Sequence, residues 1–386
     1  MSFNAAGKAP GVYIQEIEMG AKPIAGVSTS IAGFVGVTEK GANASEAVFI
    51  TSWKSFEDTF GGYTATAPYM ADAVFSFFSN GGSQCYIVSV TDSSADSITP
   101  SDYTGEGLST STDPAEPNER KGLAVLEAID DISLILIPGV SNTTVQGAMI
   151  THCEKLKYRF CILDAPEDAT IKSVKEHKES LISEKGYGAL YFPWINVLGR
   201  NTPPSGAIAG IYARSDNERG VHKAPANELL RNVTKLELSL TDADQGPLNE
   251  ESINCLRSFS GRGIRVWGAR TLASDVTWKY INVRRLFIYL EKSIDEATQW
   301  VVFEPNNEQL WARVTQTISN FLTNVWRDGA LMGTSPKEAF FVQCGRETMT
   351  QDDIDNGKLI VKIGVSPTKP AEFVIFEIAQ WTGNTN

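Results

Sequence analysis

The chain is poor in positive charge, in histidine and in long apolar runs. Its 386 residues contain 34 lysines and arginines against 46 aspartates and glutamates, which gives a formal net charge of −12. General nucleic-acid binding needs cationic side chains that displace counterions from phosphates, so this charge argues against it. No apolar run reaches the length of a membrane span, and we expect no membrane insertion. The first residues, MSFNAAGKAPG, lack a basic region followed by an apolar stretch, so we expect no signal peptide.

Cysteine and histidine occur without the spacing of a metal site. The five cysteines are scattered and lie mostly inside apolar runs, a pattern typical of buried thiols in a reducing compartment. Neither the cysteines nor the three histidines form a pair with zinc-ligand spacing. We therefore predict no metal site; the residues concerned are Cys85, Cys153, Cys161, Cys255, Cys344, His152, His177 and His222.

The short motifs of nucleotide binding and serine hydrolysis are missing too. The sequence contains no G-x-x-x-x-G-K-[ST] and no G-x-S-x-G. The apolar run Ser133–Ile137 is followed by PGVS rather than by a G-x-G-x-x-G turn. Residues 242–246, DADQG, lack the ligands and glycine spacing of a calcium loop, and we interpret them as an acidic turn. We predict no catalytic residue and no cofactor.

What the sequence does contain is an α/β rhythm between residues 122 and 258. Apolar strands that alternate with helices predict a largely parallel sheet covered on both faces. The region is predicted to end in a helix, Asn249–Phe259, and the preceding residues 26–91 are predicted to hold further strands and a strong helix, Pro68–Ser79. The strands predicted in the middle region are Ser133–Ile137, Arg159–Asp164 and Ala189–Val197, with helices at residues 143–157 and 170–183.

One stretch, residues 261–305, organises the C-terminal half. A short strand, Ile264–Gly268, precedes a helix at residues 282–298 in which apolar residues recur at helical spacing. A buried strand, Trp300–Glu304, is predicted to close this packing unit, which carries no catalytic feature. Further helices are predicted at residues 306–326 and 350–356, and further strands at Ala339–Cys344 and Leu359–Val365.

Residues 92–121 differ from the rest of the chain in composition. Ser, Thr, Asp, Gly and Pro dominate, and aromatic residues nearly vanish. Such a segment cannot bury enough apolar surface to fold alone. We predict a long exposed loop that the fold does not need.

The two ends of the chain have the pattern of strands and are joined to the core by links that contain proline. Gly11–Ile17 stands apart from other apolar segments, and a lone strand needs a partner because its backbone groups must be hydrogen-bonded. Glu372–Trp381 carries apolar residues on both faces, which favours a position inside a covered sheet.

Several long, ordered motifs resemble those of contractile tail sheath proteins, the subunits of phage tails, R-type bacteriocins and related injection systems. Residues 203–227, PPSGAIAGIYARSDNERGVHKAPAN, resemble a sheath motif almost position for position. The C-terminal half adds GRG at 261–263, VWGARTL at 266–272, YINVRRL at 280–286 and EPN at 304–306. PGVY at 10–13, Glu16 and the PIAGV turn at 23–27 resemble the N-terminal arm of a sheath subunit.

The resemblance implies an α/β fold with a mixed sheet core, flanking helices, and N- and C-terminal extended arms that exchange strands between subunits. It implies stacked six-fold rings around an inner tube protein, with baseplate and terminal cap proteins as further partners, and contraction that drives the tube through a target envelope. It implies no enzymatic activity, synthesis in the bacterial cytoplasm, and a place in a phage virion or a released injection particle. A phage, a bacteriocin and an extracellular injection system all stay open.

The same resemblance divides the chain into six parts. They are an N-terminal arm (1–25), the N-terminal part of the core (26–91), a polar exposed loop or short insertion (92–121), an α/β middle region (122–258), a C-terminal core (259–369) and a C-terminal strand arm (370–386).

Two sets of contact residues follow from this interpretation. The arms are expected to contact neighbouring subunits through Val12, Tyr13, Ile14, Ile17, Phe373, Ile375, Phe376 and Ile378. The segment 346–358, RETMTQDDIDNGK, concentrates charge between two strands and is predicted to contact the inner tube, a solvated turn being the alternative. Its charged residues are Arg346, Glu347, Asp352, Asp353, Asp355 and Lys358.

An α/β hydrolase-like enzyme built on residues 122–258 is the alternative function. A polar cluster that resembles an active site consists of Arg214, Asp216, Arg219, Lys223 and Asn227. Such residues equally form fixed ion pairs within or between subunits. For a symmetric assembly we favour that structural role.

Overall fold

The computed structural model of the chain describes residues 23–92, 98–105 and 120–375. The predicted first strand, Gly11–Ile17, and residues 376–381 of the predicted last strand lie outside these ranges. Among the described residues, no helix is long and apolar enough to cross a membrane.

Strands and helices alternate through most of the described chain. The strands are β1 Ala32–Thr38, β2 Asn43–Ile50, β3 Cys85–Asp92, β4 Leu134–Leu136, β5 Phe160–Asp164, β6 Gly188–Phe192, β7 Ile195–Val197, β8 Arg200–Thr202, β9 Val233–Leu236, β10 Ile253–Phe259, β11 Gly263–Trp267, β12 Phe340–Gln343 and β13 Lys362–Val365. The helices are α1 Trp53–Phe60, α2 Pro68–Asn80, α3 Pro100–Thr104, α4 Thr143–Leu156, α5 Ile171–Glu179, α6 Ser205–Arg219, α7 Asp242–Glu250, α8 Ile281–Thr298, α9 Glu308–Arg327, α10 Pro336–Ala339 and α11 Gln351–Asp355.

Eight of the strands form one mixed sheet in the order β11-β10-β6-β5-β4-β1-β3-β2. The strands from β10 to β3 run parallel to one another, and β11 and β2 pair antiparallel at the two edges. β4, β5 and β6 are buried along their whole length, as expected for parallel strands with both faces covered. The predicted parallel sheet is confirmed, and it extends back into residues 32–92.

Helices α2 and α6 pack on this sheet and approach each other closely. A Cβ atom at Gly206 would overlap the backbone of Ala73, and one at Gly210 would overlap the carbonyl of Phe77. Glycine therefore lets the two backbones come together, so the small residues of the motif at 203–227 have a packing role.

Helix α8, which confirms the helix predicted at 282–298, belongs to two hydrophobic clusters. Ile281 and Ile288 lie in the cluster built on the large sheet. Leu286 and Leu290 lie in a second cluster with residues of α9 and the end of α10. One helix, packed on two sides, thus joins the sheet layer to the C-terminal layer.

The predicted helix Asn249–Phe259 is wrong. The segment ends α7 and then forms β10, between β6 and β11. Ile253, Cys255 and Leu256 are all buried because both faces of this strand are covered. Such a strand lacks the alternation that distinguishes it from a buried helix. The residues predicted as an acidic turn, 242–246, instead open α7, which Thr241 caps.

The predicted buried strand Trp300–Glu304 is also wrong. A 3-10 turn at Gln299–Val301 leads into a loop, and no described strand lies beside it to take up its backbone hydrogen bonds. Phe303 has a φ of +68°, in the left-handed region. Val302 is 58% exposed and the Phe303 side chain is fully exposed. The run therefore divides: Trp300 and Val301 pack in part against the second hydrophobic cluster, whereas Val302 and Phe303 lie on the surface.

The segment 92–121 is not a loop throughout. Strand β3 extends to Asp92, and residues 100–104 form α3, with Pro100 in its first turn and a capping box between Thr99 and Asp102. Tyr103 packs against the large hydrophobic cluster. Two side chains with local capping chemistry and one aromatic ring therefore order part of a segment whose overall composition favours a loop.

This difference divides the segment into two parts with different expected contributions to stability. Replacing residues 106–119 with a short Gly/Ser linker is expected to change the free energy of unfolding by no more than ~0.6 kcal/mol, because loop-closure entropy varies slowly with length. Extending the replacement to residues 98–119 removes Tyr103 from the core and is expected to cost about 1–3 kcal/mol more. Urea unfolding of both variants checks this; equal stabilities would show that α3 contributes nothing.

A buried histidine makes stability depend on pH. His152 is completely buried and its Nε2 lies 2.9 Å from Arg159 Nη1, which donates to it. Burial, with the nearby charges of Arg159 and Lys155, lowers the pKa of His152 to about 3. The unfolded chain binds a proton below its ordinary pKa of about 6.5, whereas the folded chain stays neutral, so stability falls as the pH falls below that value.

The His152→Gln variant tests this pH dependence because glutamine keeps a hydrogen-bond acceptor for Arg159. Between pH 6.5 and 4.5 the wild-type protein should lose about 2 kcal/mol more unfolding free energy than the variant, since the slope approaches about 1.4 kcal/mol per pH unit only below the unfolded pKa. Urea unfolding of the unassembled proteins at both pH values measures the difference. Identical losses would mean that His152 is protonated in the folded state.

Candidate assembly site

The sheet formed by β12 and β13, here called the open sheet, has two strands. Just past β13 the chain is also bonded to residues 330–332, because the Met332 amide donates to the Ser366 carbonyl at 2.8 Å and the Thr368 amide donates to the Ala330 carbonyl at 3.1 Å. The strands pair antiparallel with Phe341 opposite Gly364, and no other described strand joins them. Phe340, Val342 and Val365 pack against the second hydrophobic cluster. The opposite face exposes 54% of Phe341. An isolated two-stranded sheet is marginally stable, and its edges present unpaired N–H and C=O groups to an incoming strand.

The chain leaves the folded core through residues 366–375, the C-terminal root. Asn282 Nδ2 donates to the Thr368 carbonyl at 3.2 Å and to the His222 carbonyl at 2.8 Å. Arg270 donates from Nε and Nη2 to the two carboxylate oxygens of Glu372, each at 2.7 Å. Beyond Glu372 the side chains of residues 373–375 are exposed, and the described start of the predicted strand Glu372–Trp381 is unpaired.

The Glu372 carboxylate is held by a buried guanidinium and two further donors. The side chains of Glu372 and Arg270 are 19% and 8% exposed. Asn249 Nδ2 donates to Glu372 Oε1 at 3.0 Å, and the Tyr280 hydroxyl donates to Oε2 at 3.3 Å. Burial opposes ionisation, but the hydrogen bonds from Arg270 and Asn249 outweigh it and lower the pKa of Glu372. Such bidentate pairs are strong and directional, so Glu372 fixes the point where the C-terminal arm begins.

The described chain begins with residues 23–31, the N-terminal root, which is held by an ion pair. Arg285 donates to both carboxylate oxygens of Asp216, from Nη1 at 3.0 Å and from Nη2 at 2.5 Å, and also to the Thr29 carbonyl at 2.8 Å. The Thr29 hydroxyl donates to Asp216 Oδ2 at 2.6 Å. The Val27 amide donates to Ser293 Oγ at 3.1 Å. The side chains of Arg285 and Asp216 are 3% and 6% exposed.

Both roots attach to α8 or to the residue just before it. The N-terminal root contacts Arg285, Tyr289 and Ser293, which recur every four residues and share one face of the helix. The C-terminal root contacts Tyr280 and Asn282. Cavities of about 710 and 590 Å³ flank the C-terminal and N-terminal roots respectively. Both roots therefore contact the first part of α8 or the residue before it, and the C-terminal root is also bonded outside that helix, to Arg270 and to the Ala330 carbonyl.

The charged segment 346–358 lies on the surface and contains α11. Arg346 forms an exposed ion pair with Glu308 at 3.6 Å, and Lys358 forms one with Asp353 at 3.4 Å. Asp353 also caps α11 through Thr350. The segment connects β12 to β13, so any partner that binds it also lies close to the open sheet.

The carboxyl ends of the parallel strands, where α/β enzymes bind their ligands, are occupied by structural contacts. Asp164, at the end of β5, is buried and accepts hydrogen bonds from the Ser205 amide and hydroxyl and from the Gly139 amide. Burial raises its pKa to about 6. Trp194 Nε1 donates to the Ala165 carbonyl at 2.7 Å. These side chains hold the start of α6 on the sheet. Among the described residues, no group of three or more His, Cys, Asp or Glu is placed to hold a metal ion.

The polar cluster noted at residues 214–227 separates into individual structural contacts. Arg214 donates to the carbonyls of Asn80 and Leu229. Lys223 pairs with Glu228, and Asp216 pairs with Arg285. These contacts lie within one subunit, which is the structural role favoured from the sequence.

The sequence predicted contact residues in the arms but did not point to the residues that anchor the two roots. Of the predicted arm contacts, Phe373 and Ile375 are exposed, 73% and 83% respectively. Val12, Tyr13, Ile14, Ile17, Phe376 and Ile378 lie outside the described residues. The anchors Arg270, Asn282 and Arg285 all lie inside the motifs VWGARTL and YINVRRL, and this concentration of polar residues in otherwise apolar motifs is the signal that could have found them.

Comparison with known proteins identifies both halves of the chain. The family model described as the phage tail sheath protein central domain matches residues 98–272, and the phage tail sheath C-terminal domain matches residues 273–380. A putative prophage major tail sheath protein of Pseudomonas aeruginosa is 25% identical, over 96% of this chain and 97% of that protein.

Solved structures agree with the sequence matches. The sheath of an extracellular contractile injection system, PVC, in its contracted state is 32% identical, with a TM-score of 0.79 over 97% of this chain and 98% of that one. A chain in the anti-feeding prophage baseplate is 33% identical, with a TM-score of 0.77 over 97% and 99%.

These matches span residues 122–258, the region on which the hydrolase alternative rested, and that alternative is set aside. The sheet, the anchored roots and the long motifs agree with them. The chain belongs to the contractile tail sheath family, and it is a structural sheath subunit rather than an enzyme.

Proposed function

We propose that this subunit polymerises as stacked six-fold rings around an inner tube and contracts to drive that tube through a target cell envelope. The observation that supports the proposal most directly is the open sheet of β12 and β13, in a chain whose two ends have strand-like sequences. A subunit with unpaired strand edges and free strands is complementary to further copies of itself.

In the proposed assembly the arms of neighbouring copies pair with β12 and β13. An arm residue such as Phe373 or Ile375 then moves from water onto a neighbour, whose exposed Phe341 offers apolar surface. Backbone pairing supplies the affinity, and the links beside the roots bend while the pairing persists. Rings can therefore rotate and approach one another without separating.

The proposed partners extend beyond other copies of the chain. The likeness to a chain in the anti-feeding prophage baseplate supports contact with baseplate proteins. An inner tube and a terminal cap complete the particle that we propose. The subunit is made in the bacterial cytoplasm and acts as part of a virion or of a released injection particle.

Contact with the tube is proposed for the exposed segment 346–358. Exposed ion pairs such as Arg346–Glu308 contribute roughly 0–1 kcal/mol each. A ring of similarly weak charged contacts holds a tube collectively yet separates when all of them break together. Contacts that bind the tube collectively and then break together are what a contracting sheath needs.

Removing either arm tests the exchange. Deletion of residues 1–20, or of residues 376–386, is expected to abolish cylinders in negative-stain electron microscopy while circular dichroism shows a folded core. The second deletion keeps Glu372, because losing it would leave the buried Arg270 without its carboxylate. Normal cylinders from either truncated protein would show that its arm is not a connector.

A matched pair of surface substitutions tests the acceptor sheet. Phe341→Ser and Val276→Ser each remove an exposed apolar side chain, 54% and 81% exposed respectively. Val276→Ser is expected to change monomer stability by less than about 0.5 kcal/mol, and Phe341→Ser by up to about 1 kcal/mol because its ring covers Gly364 on the partner strand. Phe341→Ser alone should reduce the yield of cylinders; equal yields from the two variants would count against β12 as an acceptor.

Charge reversal tests the tube contact. The double variant Asp352→Lys/Asp355→Lys should form cylinders on its own but fail to co-assemble with purified tube protein at low salt, where surface electrostatics is strongest. Glu176→Lys, on the exposed face of α5, serves as the control. Co-assembly of the double variant at the wild-type level would remove the proposed contact.

A further inference from the structure

The two chain roots are tied to the same helix within one helical turn of each other. Arg285 holds the N-terminal root through Thr29, and Asn282 holds the C-terminal root through Thr368. These two helix residues are three positions apart, about 4.5 Å along the axis. We propose that the first turns of α8 form a strut that passes tension from one arm to the other, with Arg285, Asn282 and Arg270 as its positioning residues; this rests on the proposed exchange of arms.

The N-terminal attachment is built to resist a pull along the chain. Arg285 donates to the Thr29 carbonyl and to Asp216, and Asp216 in turn accepts from the Thr29 hydroxyl. The Arg285 guanidinium also lies over the Tyr212 ring, 4.5 Å from its centroid. The buried ion pair of Arg285 and Asp216 therefore binds both the backbone carbonyl and the side-chain hydroxyl of Thr29. Ser293 adds a second attachment at Val27, two turns further along α8.

The C-terminal attachment combines Asn282 with the carboxylate of Glu372. Arg270 holds that carboxylate and is itself fixed, since its amide donates to Asn254 Oδ1 and its carbonyl accepts from Asn254 Nδ2, each at 2.7 Å. The turn before α8 is bonded to the same segment, because the Ile281 amide donates to the Ala269 carbonyl at 3.0 Å. Glu372 is thus linked to the first residues of α8 through one short, rigid segment.

The remaining sheet lies beside this path rather than along it. Tension that enters at Thr29 and leaves at Glu372 crosses α6 at Asp216, the first turns of α8 and the segment 269–271. A second route follows the backbone from Thr29 into β1, since the Ile31 carbonyl accepts hydrogen bonds from the Ser133 and Leu134 amides at 2.9 and 3.1 Å. The strut therefore predicts that changes at the anchors weaken a cylinder more than a change of equal cost to monomer stability elsewhere in the fold.

The test uses isosteric changes at each anchor and a matched change away from them. Thr29→Val removes one hydroxyl, and Glu372→Gln weakens one buried Arg–carboxylate pair. Asp72→Asn weakens a pair of the same kind on α2, where Arg200 Nε donates to Asp72 at 2.8 Å and the Asp72 side chain is 4% exposed. Thr29→Ser keeps the hydroxyl and serves as the conservative rescue.

Purified cylinders are titrated with guanidinium chloride below the unfolding transition, and their length distribution is measured by electron microscopy. Thr29→Val and Glu372→Gln should shorten cylinders at lower denaturant than wild type, whereas Thr29→Ser and Asp72→Asn should match wild type. Asp72→Asn should still lower the melting temperature of the unassembled protein. The two anchors act in series, so the double variant should fragment at the same denaturant concentration as whichever single variant fragments first. The effects of independent sites would instead add.

Each other result overturns a specific part of the account. Fragmentation of both anchor variants at the wild-type denaturant concentration would contradict the strut. Fragmentation of Asp72→Asn at a lower concentration would show that the general stability of the subunit sets the strength of the cylinder. Additive loss in the double variant would mean two separate paths. Failure of the wild-type chain to form cylinders at all would instead contradict the proposed function.

Discussion

Backbone N–H and C=O groups need hydrogen-bond partners, and at β12 and β13 this requirement is the basis of the proposed contact between subunits. The described chain supplies no third strand for that sheet. Its ends carry strand-like sequences. The proposed exchange between copies would give each arm a partner and each open sheet additional strands. A mesh made of backbone pairing also tolerates rotation between subunits better than a closely packed side-chain interface does.

Helix α8 gives this mesh a common attachment within each subunit. It lies between two hydrophobic clusters, contacts both chain roots and has the cavities of the candidate site beside it. Buried charges on it have fixed roles. Arg285 binds Asp216, and Arg284 lies over the rings of Tyr187 and Trp278. Removing one partner of a buried pair is costly because the other charge is left unpaired, so these positions constrain the sequence strongly.

The sequence predicted the repeating α/β layers well because their signals are local. The apolar runs that form β4, β5 and β6, and the apolar residues that recur along α8, follow from local sequence. The burial of Arg284, Arg285 and Lys292 on that helix does not. The predictions for two other segments were wrong because their structure depends on distant contacts. β10 is apolar on both faces, and Trp300–Glu304 is apolar but has no neighbouring strand, so each depends on contacts with distant parts of the chain. The anchors were missed likewise: Arg270 and Glu372 are 102 residues apart, and no spacing rule connects them.

The motifs themselves could be recognised, but their physical roles could not be read from them. Arg285 in YINVRRL gives no sign that it binds Thr29, and Glu372 gives no sign that it binds Arg270. Composition predicted a loop at residues 92–121 because it averages over a segment in which Tyr103 and a capped turn act individually. Side-chain contacts, rather than residue types, decide such cases.

Cryo-electron microscopy of assembled cylinders tests the central claim most directly, since it traces which copy supplies each strand. The account predicts that β12 and β13 lie within a larger sheet whose added strands belong to residues 1–25 and 370–386 of neighbouring copies. A map in which this sheet stays two-stranded, or in which the added strands come from the same copy, would contradict the account.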